Sequence, residues 1–252
     1  MRDGIFPKFA KGRVLKKESI EYLRDFPQDI ANLAFNDYSD GILYGFTISF
    51  EEESILISKG AIKYQGDIII VPKSNIPIIE YGQLLYIKMI IGQYSETEDY
   101  KICPIETKID NREPLNENEI ELGRFCLNPG AILRCRYDSF SDLFTSENTL
   151  GITHVLYAGA ERTTLHPLVL KEYARTLMMS SSEATDVAFA LMCLNASVIH
   201  KSSIQWYIAK KRNTTYEEYP LPELCRKLEE MLPQHDCKNK PKKPKNRRPN
   251  IS

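Results

Sequence analysis

The chain has 252 residues, 42% of them apolar and 10% aromatic, with a formal net charge of −1. That is long enough for one large domain or two small ones and apolar enough to fill a core, which excludes a fully disordered protein. No run of eighteen apolar residues occurs, and the start, MRDGIFPKFAKGRV, lacks the apolar stretch and small-residue cleavage site of a secretory signal, so the expected location is the cytoplasm.

The charge is uneven. Lys238, Lys240, Lys242, Lys243, Lys245, Arg247 and Arg248 form a tail without acids, so the net −1 leaves −8 for the rest. Six cysteines, Cys103, Cys126, Cys135, Cys193, Cys225 and Cys237, follow no pattern and read as free thiols in a reducing compartment.

In chain order, Lys16 to Asn36 places Ile20, Leu23, Ile30, Leu33 and Ala34 at helical spacing. With Pro27 suited to the first turn of a helix, this predicts two short helices meeting there. From Asp40 the period becomes two: Tyr44, Phe46, Ile48 and Phe50 alternate with Leu43, Gly45, Thr47 and Ser49, the pattern of a half-buried strand. Glu51 to Glu53 make a polar turn. Strands over Ile55 to Ser58 and Ile62 to Tyr64 lead to Gln65-Gly66, a tight hairpin signal, and then to Asp67 to Val71, a β-branched run expected to be covered on both faces. Gly41, Gly60 and Gly66 are the expected turn glycines.

Leu84 to Ile91 puts Leu85, Ile87, Met89 and Ile91 on one face, with Tyr100 to Ile105 as its expected hairpin partner. Glu119 to Arg136 predicts two further strands around Asn128-Pro129-Gly130. Beyond Tyr137 the pattern is helical: one helix capped by Thr163 or Thr164 and running through Met179, one over Val187 to Asn195, one capped by Ser202 or Ser203 and carrying Ile204, Trp206, Tyr207 and Ile208, and one from Pro220 to about Leu232. The fold class is therefore α+β. The expected organisation is a helical segment over 1–37, an antiparallel β-sandwich over 38–140, a helical domain over 141–234 and a disordered basic tail over 235–252.

None of the twelve glycines opens a P-loop, and there is no G-x-G-x-x-G, G-x-S-x-G or H-E-x-x-H. His166, near Glu161 and Arg162, has the titration range of a general base but no nucleophile beside it in sequence, so it reads as a first-turn or interface histidine. His200 reads as a helix-boundary residue. His235-Asp236-Cys237 with Cys225 lacks the paired C-x-x-C of a tetrahedral zinc site. No catalytic, cofactor or metal residues are assigned, and the expectation is a protein that is not an enzyme and takes no cofactor. Tyr44, Phe46, Phe50, Trp206 and Tyr207 are the aromatic interface candidates, although rings such as Trp206 commonly serve cores. The basic tail reads either as a solubilising end or as a salt-sensitive nucleic-acid contact; no membrane contact is expected.

The segment Tyr38 to Pro72, YSDGILYGFTISFEEESILISKGAIKYQGDIIIVP, resembles a module of baseplate and tail proteins of bacteriophages and related contractile injection particles. The matching positions are Gly41, Ile42, Gly45, Phe46, Ile57, Gly60, Ile62, Gly66 and Ile68. Glu121 to Arg134, ELGRFCLNPGAILR, is similar to a later strand of such proteins. The layout also resembles a clostridial family from tail-like gene sets, some of whose members carry a helicase label that this sequence does not support. The resemblance implies a small β-sandwich docking on neighbours. It further implies a structural part present in multiple copies, bound to other tail or baseplate proteins and incorporated in a virion or tail-like particle. No long glycine-rich shaft occurs, which argues against a receptor-binding fibre.

Overall fold

The structure, a computed structural model, describes residues 6–232. The basic tail and Cys237 lie outside the described residues. The fold is α+β. Among the described residues one α-helix, α1 (Lys17–Ala34), precedes eleven antiparallel strands, and four α-helices follow.

α1 is a single helix with Pro27 inside it, not two helices meeting there. Proline removes one intrahelical hydrogen bond, that to the Leu23 carbonyl, at a cost of about 3 kcal/mol, but the strongly periodic sequence on both sides continues the helix through it.

The expected single strand from Asp40 to Phe50 is two: β1 (Gly41–Tyr44) and β2 (Ile48–Glu51), which join different sheets. The break falls where Gly45 (φ 83°) and Phe46 (φ 56°) both enter the left-handed region. There is no room for a Cβ at Gly45 against the Lys59 carbonyl. The chain continues through β3 (Ser54–Ile57), β4 (Gly60–Tyr64), β5 (Asp67–Val71) and β6 (Ser74–Pro77). β4 is central between β1 and β5, and β3 is central between β2 and β6. The β4–β5 hairpin turns on Gln65 and Gly66, both at positive φ, as a type I′ turn requires.

Gly41 and Gly60 lie in strands rather than turns. A Cβ on Gly41 would crowd the Leu156–Ala158 backbone, and one on Gly60 would overlap the Phe46 ring. β5 is an edge strand, and its β-branched run is not covered on both faces, since Ile70 stands out at 58% exposure.

The third sheet centres on β7 (Leu84–Ile91), flanked by β10 (Ile105–Asp110) and β11 (Glu119–Cys126). Leu85, Ile87, Met89 and Ile91 are all buried, and on the other face Tyr86 and Lys88 are buried too. The Lys88 ammonium is satisfied by Asp110 at 2.9 Å and the Arg112 carbonyl at 3.0 Å. The partner expected at Tyr100 to Ile105 is displaced because a two-stranded ribbon, β8 (Ser95–Glu96) with β9 (Lys101–Ile102), takes up those residues. Pairing with β7 then starts at Ile105. After Asn128-Pro129-Gly130 there is no second strand, only a bridge from Arg134 to Thr149.

Residues 145–165 are not helical. They run against the strands through bridges of Gly151 to Arg124 and of Tyr157 to both Ile42 and Thr164. Thr164 is thereby committed to Tyr157 and to the Ile199 carbonyl at 2.6 Å, and the helix cap passes to His166. The helices are α2 (Pro167–Ser180), α3 (Ala184–Asn195), α4 (Lys201–Arg212) and α5 (Leu221–Met231). α4 starts after His200, so neither Ser202 nor Ser203 is its cap. Apolar residues from the three sheets, from residues 145–165 and from α2 to α5 form one continuous core.

Candidate assembly interface

The residues just after α1 are fastened to the first sheet. Tyr38 bridges Ala160, the Ser39 N–H donates to the Gly159 carbonyl, and the Glu161 N–H donates to that of Asp37. Beneath them the buried Lys63 ammonium donates to the Phe35, Asn36 and Tyr38 carbonyls at 2.7, 2.9 and 2.7 Å. A cation there satisfies carbonyls left over at the helix end and complements the negative end of its dipole. Phe35 stands edge-on to Tyr38 and Tyr44, with ring centroids 5.2 and 5.8 Å away.

The helix itself buries no residue. At 100° per residue, Ile20, Leu23, Phe26, Ile30 and Leu33 fall within an arc of roughly 140°, and Glu18, Glu21, Arg24, Asp25, Gln28, Asp29 and Asn32 take the opposite side. Those five apolar residues are 52, 53, 44, 52 and 74% exposed. Such a stripe ordinarily faces a core; here it faces outward. The preceding arm adds Phe6, Phe9, Val14 and Leu15, each more than half exposed.

Of the aromatic candidates, Tyr44 and Trp206 are half exposed, and the Trp206 ring lies 4.9 Å from that of Tyr216. Phe46 is buried over Gly60, and Phe50 packs partly buried against the core. Tyr207 is also committed inward: it stacks on Phe189 with centroids 3.9 Å apart and donates to Asp186 at 2.8 Å. Phe46 is therefore corrected from an interface candidate to a core residue, and Tyr207 packs partly buried against the core.

The buried Asp186 carboxylate also accepts from Ser181 Oγ at 2.5 Å and Lys211 Nζ at 2.9 Å. Burial pushes its pKa up, but the hydrogen bonds from Ser181, Lys211 and Tyr207 outweigh burial and hold the carboxyl below its ordinary value. This cluster ties α2, α3 and α4 together.

His166 caps α2. Its Nδ1 accepts the Leu168 N–H at 3.0 Å, and its ring lies 4.7 Å from that of Tyr157. Burial, with the Lys171 charge adding to it, pushes its pKa down to about 3, so the imidazole is neutral across the physiological range. A cavity of about 300 Å³ beside it is lined by Phe46, Tyr137, Tyr157, His166 and Lys171.

Among the described residues no three His, Cys, Asp or Glu side chains are grouped to hold a metal ion, and no helix is long and apolar enough to cross a membrane. Sequence reasoning missed two parts of the interface. Lys63 was legible as a lone cation in the strand Ile62 to Tyr64. The outward orientation of the α1 stripe had a weaker signal, the charged arm that precedes it.

No protein-family model matches this chain, and no curated protein matches it. Among solved structures, a crystal structure of TssK is similar over 90% of this chain and 70% of that one, at 7% identity and a TM-score of 0.41. A chain from a cryo-electron microscopy structure of the type VI secretion system TssK-TssF-TssG baseplate subcomplex is similar over 89% of this chain and 97% of that one, at 10% identity and a TM-score of 0.36.

Proposed function

We propose that this chain is a structural subunit of the baseplate or tail of a contractile injection particle, and that it works by contact with other proteins rather than by turnover of a substrate. The observation that carries this reading is α1, an amphipathic helix whose apolar stripe has no partner within the described chain although its C-terminal end is pinned to the sheet by Lys63. Five side chains about half exposed leave roughly 500 Å² of apolar surface, at the upper end of what a monomer normally shows. Water contact over such an area is unfavourable, and burial against another macromolecule relieves it. Edge strand β5, which carries the exposed Ile70, adds an open hydrogen-bonding edge of the kind that a neighbouring strand or helix covers. The resemblance of Tyr38 to Pro72 and Glu121 to Arg134 to baseplate modules supplies the class of partner.

The test is co-expression with the proteins encoded beside it. The reading predicts that the full chain purifies in a stable complex with sheath, tube or baseplate subunits. Purification free of all of them, with the fold intact, contradicts it.

A further inference from the structure

The cavity beside His166 has a makeup that the docking role does not use. Phe46, Tyr137 and Tyr157 give it aromatic walls, and Ile48, Leu122 and Ile152 add aliphatic ones. Its tyrosines are committed to the protein: the Tyr137 hydroxyl donates to the Leu150 carbonyl at 2.6 Å, and the Tyr157 hydroxyl to the Gly45 carbonyl at 3.4 Å. Two other polar groups remain open. His166 Nδ1 accepts the Leu168 N–H, so the ring proton sits on Nε2, and that N–H has no acceptor among the described residues. The partly buried Lys171 ammonium likewise makes no hydrogen bond or ion pair among them. No carboxylate lines the cavity, and Glu172, next along α2, is paired with Arg175.

We propose that this cavity binds a small free acid, a carboxylate carried on a single aromatic or compact aliphatic group, with Lys171 and the His166 Nε2–H as the carboxylate's partners. The inference goes beyond the docking role and uses no part of α1. A half-buried ammonium without a counter-ion and an imidazole N–H without an acceptor both favour an incoming anion. A phosphate dianion calls for more positive charge than one ammonium supplies, whereas a carboxylate is matched. An ammonium on the ligand would meet Lys171 and no acid, which disfavours a zwitterion. The volume of about 300 Å³ lies at the small end of ligand pockets and suits one ring with its carboxylate.

The backbone of the wall is unusual as well. Phe46 holds φ 56°, in the left-handed region where an aromatic residue seldom sits, next to Gly45 at 83°. Such backbone persists where the surroundings fix it, and it clusters at sites that hold ligands. Burial pushes the Cys135 thiol, also in the lining, up to about 11, so it offers no thiolate at neutral pH and the site binds without reacting.

The probe is phenylacetate, titrated calorimetrically into the full chain at neutral pH while the histidine ring signals are followed by NMR, with His166→Asn identifying the His166 signal. A ligand of this size should bind with a Kd of about 0.1 to 1 mM and shift that signal. Phenylacetamide, equal in shape and uncharged, should bind about tenfold more weakly, and so should phenylalanine with its added ammonium. Lys171→Met, at a partly exposed helix position, should weaken phenylacetate about tenfold and leave phenylacetamide unchanged.

No heat and no shift of the His166 signal at about 10 mM phenylacetate overturns the proposal. Equal binding of the acid and its amide overturns it too, and that comparison needs no variant to fold. If a peptide ending in phenylalanine binds about tenfold more tightly than phenylacetate, the cavity takes a chain end and the free acid is wrong. All of these measurements use the isolated chain, so their failure leaves the proposed function standing.

Discussion

Lowering the pH should destabilise this protein through His166 at the start of α2. In the folded chain the His166 Nδ1 accepts the Leu168 N–H, which places the imidazole proton on Nε2 and leaves no lone pair to accept another without losing the cap. The folded pKa is about 3, against an ordinary 6.5. Between those values the unfolded chain binds a proton that the folded chain excludes, so stability falls as the pH is lowered. Integrated from pH 7.5 to 5, the loss is about 2 kcal/mol. His166→Asn keeps a side-chain acceptor at the cap but removes the titration. Urea unfolding of both proteins at pH 7.5 and 5.0 isolates the effect, because His154, whose pKa burial and then Arg124 also push down, contributes equally to each. The wild type should lose about 2 kcal/mol more than the variant over this interval. Equal losses would refute the placement of a neutral, partly buried imidazole at the start of α2.

Other positions give sharper or opposite effects. Gly60→Ala forces a methyl into the Phe46 ring and should cost about 2 kcal/mol, seen as a fall of roughly 4 to 8 °C in melting temperature. In the β2–β3 turn, Glu52 and Glu53 both hold positive φ, so Glu52→Asn with Glu53→Gly should raise the melting temperature by a few degrees, each left-handed non-glycine residue costing about 1 kcal/mol. Asp186→Asn should cost about 2 kcal/mol at neutral pH by loosening the link among α2, α3 and α4. Because its folded pKa lies below the ordinary 3.8, that contribution is complete above this value and lost as the pH falls through the lower one. Unfolding curves for wild type and variant should therefore converge only below about pH 4.

Strands with one dominant pattern were legible. Leu84 to Ile91 alternates cleanly and is β7, and Gln65-Gly66 is the hairpin turn its chemistry demands. Alternation alone missed the break at Gly45 and Phe46, because Phe46 is an unusual residue to sit at positive φ and the crowding by Lys59 that requires it is long-range. The β-branched run of β5 was read as buried, yet β-propensity does not distinguish a central strand from an edge. Helices α2 to α5 were found to within a few residues, but the side-chain cap at His166 escaped because Thr164, a stronger capping residue nearby, is already committed to the Ile199 carbonyl. Among the aromatics, Tyr207 could not be told from Trp206: adjacent helix positions face different ways, and only packing decides which is inward. Periodicity likewise marked the apolar face of α1 without saying what covers it.

The most direct test of that face is a Leu23→Glu, Ile30→Glu double variant, melted in dilute solution and then presented to its co-expressed subunits. With the stripe turned outward, the melting temperature should stay within about 2 °C of wild type, since surface changes shift stability by no more than about 0.5 kcal/mol, while association is lost. Undiminished association by the well-folded variant would contradict the account.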